Sequence, residues 1–125
     1  MIDNKEHYIN LSTLKRNGVS VKTPVWFTQE DKEKIYYIYT LKKSGKVKRI
    51  RNFSKVQLAL CNFRGKVKGK WMNAHADLIS DPEEIKLAFW LLRKKYGIIF
   101  RIGDFFSLLA GNFNHRQIIR ISLDW

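Results

Sequence analysis

The chemistry that this sequence offers is concentrated in residues 40–52, TLKKSGKVKRIRN, where six lysines and arginines accompany a threonine, a serine and a glycine. If a strand ends at Thr40 and a short helix begins after Ser44, the hydroxyls and the first helical N–H groups can donate to phosphate oxygens. Lys46 and Arg49 lie three residues apart, on one face of such a helix. Arg49 can bind a phosphate through two parallel hydrogen bonds, and Lys46 can bind it as a point charge. A solvated basic helix is the alternative, and the residues alone leave both interpretations open.

Side chains that carry catalysis by themselves are not arranged for it in this sequence. The histidines His7, His75 and His115 are far apart and lack metal-ligand spacing to Cys61. Cys61 lies in an apolar run, so we expect a small core residue rather than a nucleophile. The sequence contains neither a P-loop nor a GxGxxG motif. An enzyme with this sequence would therefore take its chemistry from a cofactor, and we predict no catalytic residue and no metal site.

Length and composition favour one globular domain over residues 1–125. Apolar residues make up 45% of the chain and aromatic residues 14%, which is enough for a core without a structural metal. With one cysteine no internal disulfide can form, so the expected location is the cytoplasm. No apolar run is long enough for a signal peptide or a membrane anchor, so no membrane partner is expected. The net charge of +13 attracts polyanions, but a lysine-rich surface also explains it.

The elements that must position the basic segment are typical of an antiparallel barrel with helices late in the chain. Asn17-Gly18 between two runs of β-forming residues predicts a hairpin with a type I′ turn, and Pro24 belongs at a strand edge or a bulge. Asp81-Pro82-Glu83-Glu84 predicts a helix start, and that helix ends at Gly97. The predicted strands are 8–14, 19–27, 35–40, 56–61, 67–79 and 117–123, and the predicted helices are 46–53, 81–96 and a segment within 98–110.

Short blocks along the chain occur in an order and at a spacing that a known family shares. They are TPVWF at 23–27, YT at 39–40, SGKVKRI at 44–50, VQLALC at 56–61, RG at 64–65, Gly69, and KYG at 95–97. In these blocks the sequence resembles the FMN-binding split-barrel family related to pyridoxamine 5′-phosphate oxidase. Within that family it is most similar to the small deazaflavin (coenzyme F-420)-dependent oxidoreductase group. The resemblance covers residues 7–123, which is nearly the whole chain.

The resemblance implies a mainly β fold, a six-stranded antiparallel split β-barrel with a few α-helices. It implies a homodimer with FMN or the deazaflavin coenzyme F-420 in a groove between the subunits. The implied cofactor-binding residues are Thr23, Pro24, Val25 and Trp26 along the ring, Thr40, Ser44, Lys46, Lys48 and Arg49 around the phosphate, and Gly69 and Trp71, on the fifth strand, beside the groove. For Trp26, ordinary barrel core is the alternative.

The chemistry that the resemblance implies is hydride transfer between the bound ring and an unsaturated small-molecule acceptor. The protein would position the ring and exclude water. The sequence departs from the vitamin-B6 oxidases in lacking their longer chain and C-terminal substrate-binding segment, so oxidation of pyridoxamine phosphate is not the expected reaction. Its composition differs from that of actinobacterial deazaflavin proteins, so FMN stays open beside the deazaflavin coenzyme. We rank a cofactor-dependent oxidoreductase first and a flavin-binding protein without turnover second. A nucleic-acid binder that stacks bases on Trp26, Trp71 and Tyr36 ranks last.

Overall fold

The chain folds into one curled antiparallel sheet with two helices, seen in a computed structural model that describes residues 7–30, 34–96 and 116–124. The strands are β1 (Ile9–Leu14), β2 (Ser20–Val25), β3 (Phe27–Gln29), β4 (Ile35–Leu41), β5 (Lys55–Leu60), β6 (Met72–Leu78) and β7 (Arg116–Leu123), and the helices are α1 (Gly45–Asn52) and α2 (Pro82–Tyr96). The predicted mainly β class is confirmed. The predicted helical segment within 98–110 lies outside the described residues.

The sheet curls because its two edge strands are neighbours in the chain. The strand order is β2-β1-β5-β6-β7-β4-β3, and each neighbouring pair is antiparallel. β2 and β3 lie at opposite edges, yet Trp26 alone separates Val25 from Phe27. Since one residue spans at most about 3.6 Å, the two edges must approach each other. The sheet therefore forms the split barrel that the resemblance implied.

The predicted number of six strands was wrong, because the predicted strand 19–27 is two strands. β2 pairs with β1, whereas β3 pairs with β4 on the other side of the barrel. The chain changes partners at Trp26, which belongs to neither strand. Pro24 lies on the edge strand β2, as predicted, where a residue without an N–H group is tolerated.

The hairpin predicted at Asn17-Gly18 is confirmed, but its turn differs from the expected one. Leu14 pairs with Ser20 at the end of the β1–β2 ladder. The Gly18 N–H donates to the Lys15 carbonyl at 2.9 Å, so Arg16 and Asn17 are the central residues of the turn. Gly18 follows with a φ of 84°, a conformation that favours glycine. The loop is therefore longer than a two-residue type I′ turn.

The predicted strand 67–79 was wrong in its first half, because β6 begins at Met72. A turn precedes it, in which the Asn62 side-chain oxygen accepts the N–H groups of Arg64 at 2.9 Å and Lys66 at 3.0 Å. Gly65 adopts a φ of 85° in this turn. Val67 pairs with Cys61 as an isolated bridge. After this bridge the Lys68 N–H donates to the Leu60 carbonyl at 2.7 Å, and the chain then leaves the sheet until Met72.

Two apolar clusters hold the helices against the sheet. Inside the barrel, Val47 and Ile50 of α1 are buried against the inward-facing side chains of the strands. Outside it, α2 packs Ala88, Leu92 and Tyr96 against the outer face of β4 and β7. The Asp81 carboxylate accepts the Glu83 N–H at 3.2 Å at the start of α2, which is the predicted helix start. Neither of the two described helices has the length and apolar character needed to cross a membrane.

Candidate functional site

The predicted phosphate site lies where β4 ends and α1 begins. Ser44 precedes the helix with extended backbone, and its side chain makes no capping hydrogen bond to α1. Its hydroxyl instead accepts a hydrogen bond from the Thr40 hydroxyl at 3.2 Å. The first turn of α1 contains no acidic residue. The first N–H groups of α1 thus lack a side-chain acceptor from Ser44, which is the arrangement that favours an anion at a helix N-terminus.

Lys46 directs its ammonium group toward the Thr40 and Ser44 hydroxyls, between the end of β4 and the start of α1. Its Nζ donates to the Thr40 Oγ1 at 3.3 Å. Burial and the neighbouring charge of Arg49 lower the pKa of Lys46 below its ordinary value. Among residues 7–30, 34–96 and 116–124, no ion pair joins Lys46 to a carboxylate. A partly buried ammonium group beside two hydroxyls is therefore available to an external anion.

Arg49 completes the site by folding back over the first turn of α1. Its Nε donates to the Thr13 Oγ1 on β1 at 2.6 Å. Its Nη1 lies 2.6 Å from the place that a Cβ on Gly45 would take. Glycine at position 45 therefore leaves room for the guanidinium. We call the set Thr40, Ser44, Lys46 and Arg49 the phosphate cradle.

Two residues that support the phosphate cradle were missed by the sequence analysis. Thr13 is buried, with 1% of its surface exposed, and it anchors Arg49 from a strand 36 residues earlier in the chain. No local pattern marks such a pairing. Gly45 did carry a signal, since a glycine at the first position of a basic helix is a poor helix former. Its role becomes visible once the path of Arg49 is known.

Lys48 is the one predicted phosphate residue that the structure places away from the others. Its side chain is exposed, and it lines a separate cavity with Lys15, Arg16, Gly45, Arg49 and Asn52. This cavity has a volume of about 390 Å³. Lys48 thus lies next to the phosphate cradle but points to the side of the β1–β2 turn.

The predicted ring-binding strand is β2 together with Trp26. Val25 is buried in the barrel core, so its side chain serves packing. Thr23 and Pro24 pair with Leu11 and Asn10 of β1. Trp26 stacks on Tyr96 of α2, with ring centroids 4.8 Å apart and planes at 15°. Trp26 therefore does not lie in the barrel core, as the alternative proposed, but packs against α2 on the outside of the barrel.

Tyr96 fixes the connection between β2 and β3. Its hydroxyl accepts the Phe27 N–H at 2.9 Å and lies 2.9 Å from the Phe27 carbonyl and 2.8 Å from that of His7. Burial raises the pKa of the Tyr96 phenol, so it stays protonated and can donate. The point where the chain changes sheet edges is thus held by α2.

Gly69 and Trp71 lie in the connection before β6, not on a strand as predicted. A Cβ on Gly69 would meet the Leu60 side chain at 3.5 Å. The Lys22 ammonium group of β2 lies 5.4 Å from the centroid of the Trp71 ring. These contacts bring Trp71 to β2, and none of the described contacts joins Gly69 or Trp71 to the phosphate cradle.

The remaining candidates from the sequence have structural surroundings. Cys61 is buried, and burial raises the pKa of its thiol, which fits the predicted core role. His75 pairs with Asp124 at 2.6 Å on the surface. Within the described ranges, no group of three or more histidine, cysteine or acidic residues is placed to hold a metal ion. Tyr36 is fully buried, so it is not available for the base stacking that the last-ranked nucleic-acid alternative assigned to it.

Comparison with known proteins connects this geometry to a family. A family model described as pyridoxamine 5′-phosphate oxidase matches residues 3–124. A candidate 5-nitroimidazole antibiotic resistance protein from Bacteroides thetaiotaomicron is 14% identical, with a TM-score of 0.70 over 96% of this chain and 74% of that one. The heme storage protein HutZ from Vibrio cholerae is 12% identical, with a TM-score of 0.70 over 96% and 83%.

An F-420 reductase is also similar, at 13% identity and a TM-score of 0.63, over 98% of this chain and 90% of that one. None of the curated proteins matches the chain. At these identities the solved structures establish a shared fold. Their different descriptions indicate that the fold serves more than one function.

Proposed function

Because this chain belongs to the pyridoxamine 5′-phosphate oxidase family, we propose that it binds a flavin-type cofactor through the phosphate cradle. The observation that carries the proposal is the convergence of Lys46 and Arg49 with two hydroxyls at an uncapped helix start. These groups are hydrogen-bond donors or cations, which suits a phosphate and not a metal ion. The donor set of the site therefore fits the phosphate that FMN and the deazaflavin coenzyme both carry.

We propose an oxidoreductase, in which the bound ring supplies hydride transfer to or from an unsaturated small molecule. The protein's part is to hold the phosphate in the phosphate cradle and to lay the ring along β2. The bonds of Tyr96 to Phe27 support this role, because they fix the connection from the end of β2 to the start of β3. Hydride transfer itself moves no proton, and the proton that completes reduction of the acceptor would come from solvent, so the step needs no acid–base pair of the protein.

A flavin-binding protein without turnover is the second candidate. The similarity to the heme storage protein HutZ supports it, since storage is carried by the same fold. The two candidate functions are separated by adding unsaturated acceptors to the purified protein with reduced cofactor bound and measuring oxidation of the cofactor. Oxidation by an added unsaturated acceptor supports the oxidoreductase, and resistance to a panel of such acceptors supports storage.

We also propose that the protein forms a homodimer with the cofactor in the groove between its subunits. The outward-facing side chains of Lys55, Gln57 and Asn73 on β5 and β6 are exposed. With Ser12 they line a shallow cavity of about 310 Å³. The family to which the chain belongs supports the dimer, and these polar side chains would lie at the rim of its interface. Sedimentation velocity measures the mass directly.

Substitution of the two cations tests the phosphate cradle. Lys46→Ala and Arg49→Ala should each lower the affinity for FMN or the deazaflavin coenzyme about 10- to 100-fold, because each removes a charged contact to the phosphate. Arg51→Ala is the matched control, since Arg51 is exposed in the last turn of the same helix. Titration followed by cofactor fluorescence gives the affinities. Unchanged affinity in both test variants would remove the assignment of the site.

A further inference from the structure

A second strongly basic part of the molecule lies away from the phosphate cradle, in the connection between β5 and β6. Residues 34–76 contain twelve lysines and arginines and no acidic residue. Arg64 and Lys66 are exposed within this connection. Among the ion pairs of the described residues, none includes Arg64 or Lys66. A surface with this charge attracts polyanions, but the charge alone does not distinguish one polyanion from another.

An aromatic side chain is exposed at the turn in the middle of this charge. Phe63 has 63% of its surface exposed, and the Arg64 guanidinium carbon lies 5.3 Å from its ring centroid. The turn is held in shape by the Asn62 side-chain oxygen, which accepts the N–H groups of Arg64 at 2.9 Å and Lys66 at 3.0 Å. A fixed, exposed ring beside a cation is an arrangement on which an unpaired base can stack.

A second pair of an aromatic ring and a cation lies next to this turn, on the edge strand β2. The turn reaches β2 through Gly65, whose carbonyl accepts Nδ2 of Asn10 at 2.9 Å and whose Cβ position would lie 3.5 Å from Cδ of Pro24. Lys22 precedes Pro24 by two residues on the same face of β2, and its ammonium group lies 5.4 Å from the Trp71 ring centroid. The two aromatic–cation pairs are therefore displaced along β2 by about 7 Å, which is a distance of two base steps.

The aromatic side chains that the structure offers to a nucleic acid differ from those that the sequence suggested. Tyr36 is fully buried, and Trp26 stacks on Tyr96. Trp71 keeps its place beside β2, and Phe63 joins it. The basic turn thus combines two accessible rings with the cations of an acid-free part of the chain.

We propose that Lys22, Phe63, Arg64, Lys66 and Trp71, which we call the basic turn surface, bind single-stranded nucleic acid. Bases stack on the two rings, and phosphates contact the cations. A duplex hides the faces of its bases, so stacking on these rings requires an unpaired strand. The proposal is a second function, independent of the phosphate cradle and of the cofactor proposed there.

The contribution of the rings is tested by fluorescence anisotropy with a labelled oligothymidylate of about 12 nucleotides. The full chain is used without added cofactor, because the proposed ring site also follows β2. Phe63→Ala should lower the affinity about tenfold at constant salt, and Phe63→Tyr, which keeps a ring, should change it less than about twofold. Trp90→Ala is the matched control and should leave the affinity unchanged. Trp90 is 57% exposed with the Lys94 ammonium group 5.1 Å from its ring centroid, but it lies on α2.

The contribution of the cations is tested by repeating the titrations over a range of salt concentrations. In Arg64→Ala/Lys66→Ala, the slope of log affinity against log salt should become shallower by about 1.4, since each phosphate contact of a single strand contributes about 0.7. Phe63→Ala should leave this slope unchanged, because it removes no charge. Lys86→Ala/Lys94→Ala removes two exposed charges from α2 and should also leave it unchanged.

Three outcomes would overturn the proposal. The first is that the wild-type protein does not bind the oligonucleotide. The second is that Phe63→Ala binds as tightly as the wild type while Arg64→Ala/Lys66→Ala binds more weakly, because the surface then attracts polyanions by charge alone. The third is that Phe63→Ala weakens binding to phosphatidylserine vesicles but not to the oligonucleotide, which would make the turn a membrane contact.

Discussion

Replacement of Gly45 by alanine should stabilise the protein and weaken its phosphate site. Gly45 is the first residue of α1, and alanine is favoured over glycine by about 0.5–1 kcal/mol in a helix interior, which sets the upper limit of the gain at this position. The added Cβ would lie 2.6 Å from Nη1 of Arg49 and 3.4 Å from its Cζ. Since nonbonded carbon contacts are optimal at about 3.5–4.0 Å, the guanidinium must move outward by about 1 Å. Thr13 holds Nε, so the Nη end of the guanidinium must swing outward about that bond, and the fold keeps the gain from alanine only where the bond is retained.

The displaced guanidinium should lower the affinity for FMN about tenfold. A hydrogen bond to a charged group contributes about 1.5–3 kcal/mol, and a shift of this size removes a large part of it. Cofactor titration gives the affinity, and urea unfolding of the cofactor-free protein gives the free energy of unfolding.

A double-mutant cycle shows whether the effect of Gly45→Ala passes through Arg49. In an Arg49→Ala background, Gly45→Ala should lower the affinity no further, because the group that it displaces is already gone. An undiminished affinity in Gly45→Ala alone, or an equal loss in both backgrounds, would refute the placement of Arg49.

The remaining predictions concern the bonds of Tyr96 at the connection between β2 and β3, and the charge of Lys46. Tyr96→Phe should lower the free energy of unfolding by about 1–3 kcal/mol in urea titrations, because the buried Phe27 N–H loses its acceptor; an unchanged value would contradict the role of these bonds. Burial and the neighbouring Arg49 guanidinium lower the pKa of Lys46 in the folded protein below the ordinary 10.5 that it has in the unfolded chain. Between the folded and the unfolded pKa, the unfolded chain therefore binds more protons than the folded protein. The cofactor-free protein should therefore gain stability with rising pH over this window, and Lys46→Met should abolish the gain. Flavin-phosphate affinity should fall over the same window, as the ammonium group loses its charge.

Local signals predicted the parts of the fold in which neighbours in the chain are neighbours in space. The Asn17-Gly18 turn, the capping Asp81 and the short helix after Ser44 all depend on contacts within a few residues. The phosphate cradle belongs to this class, because Thr40 and Arg49 are nine residues apart. Its main elements could therefore be predicted from the sequence.

Partner choice across the sheet could not be predicted in the same way. The run from Val19 to Phe27 is favourable for one strand, and nothing in it shows that its two halves pair with opposite edges of a barrel. The residues after Val67 were predicted as one strand, but the chain leaves the sheet after the Val67–Cys61 bridge and rejoins it at Met72. Thr13 was missed for the same reason, since its contact with Arg49 exists only in the folded chain.

Titration of the purified wild-type protein with FMN and, separately, with the deazaflavin coenzyme tests the central claim most directly. Ring absorbance and fluorescence follow the binding, and Lys46→Ala is measured beside the wild type. We predict micromolar or tighter binding of at least one cofactor, with a loss of about tenfold or more in the variant. Absence of binding by both cofactors, or binding that Lys46→Ala leaves unchanged, would contradict it.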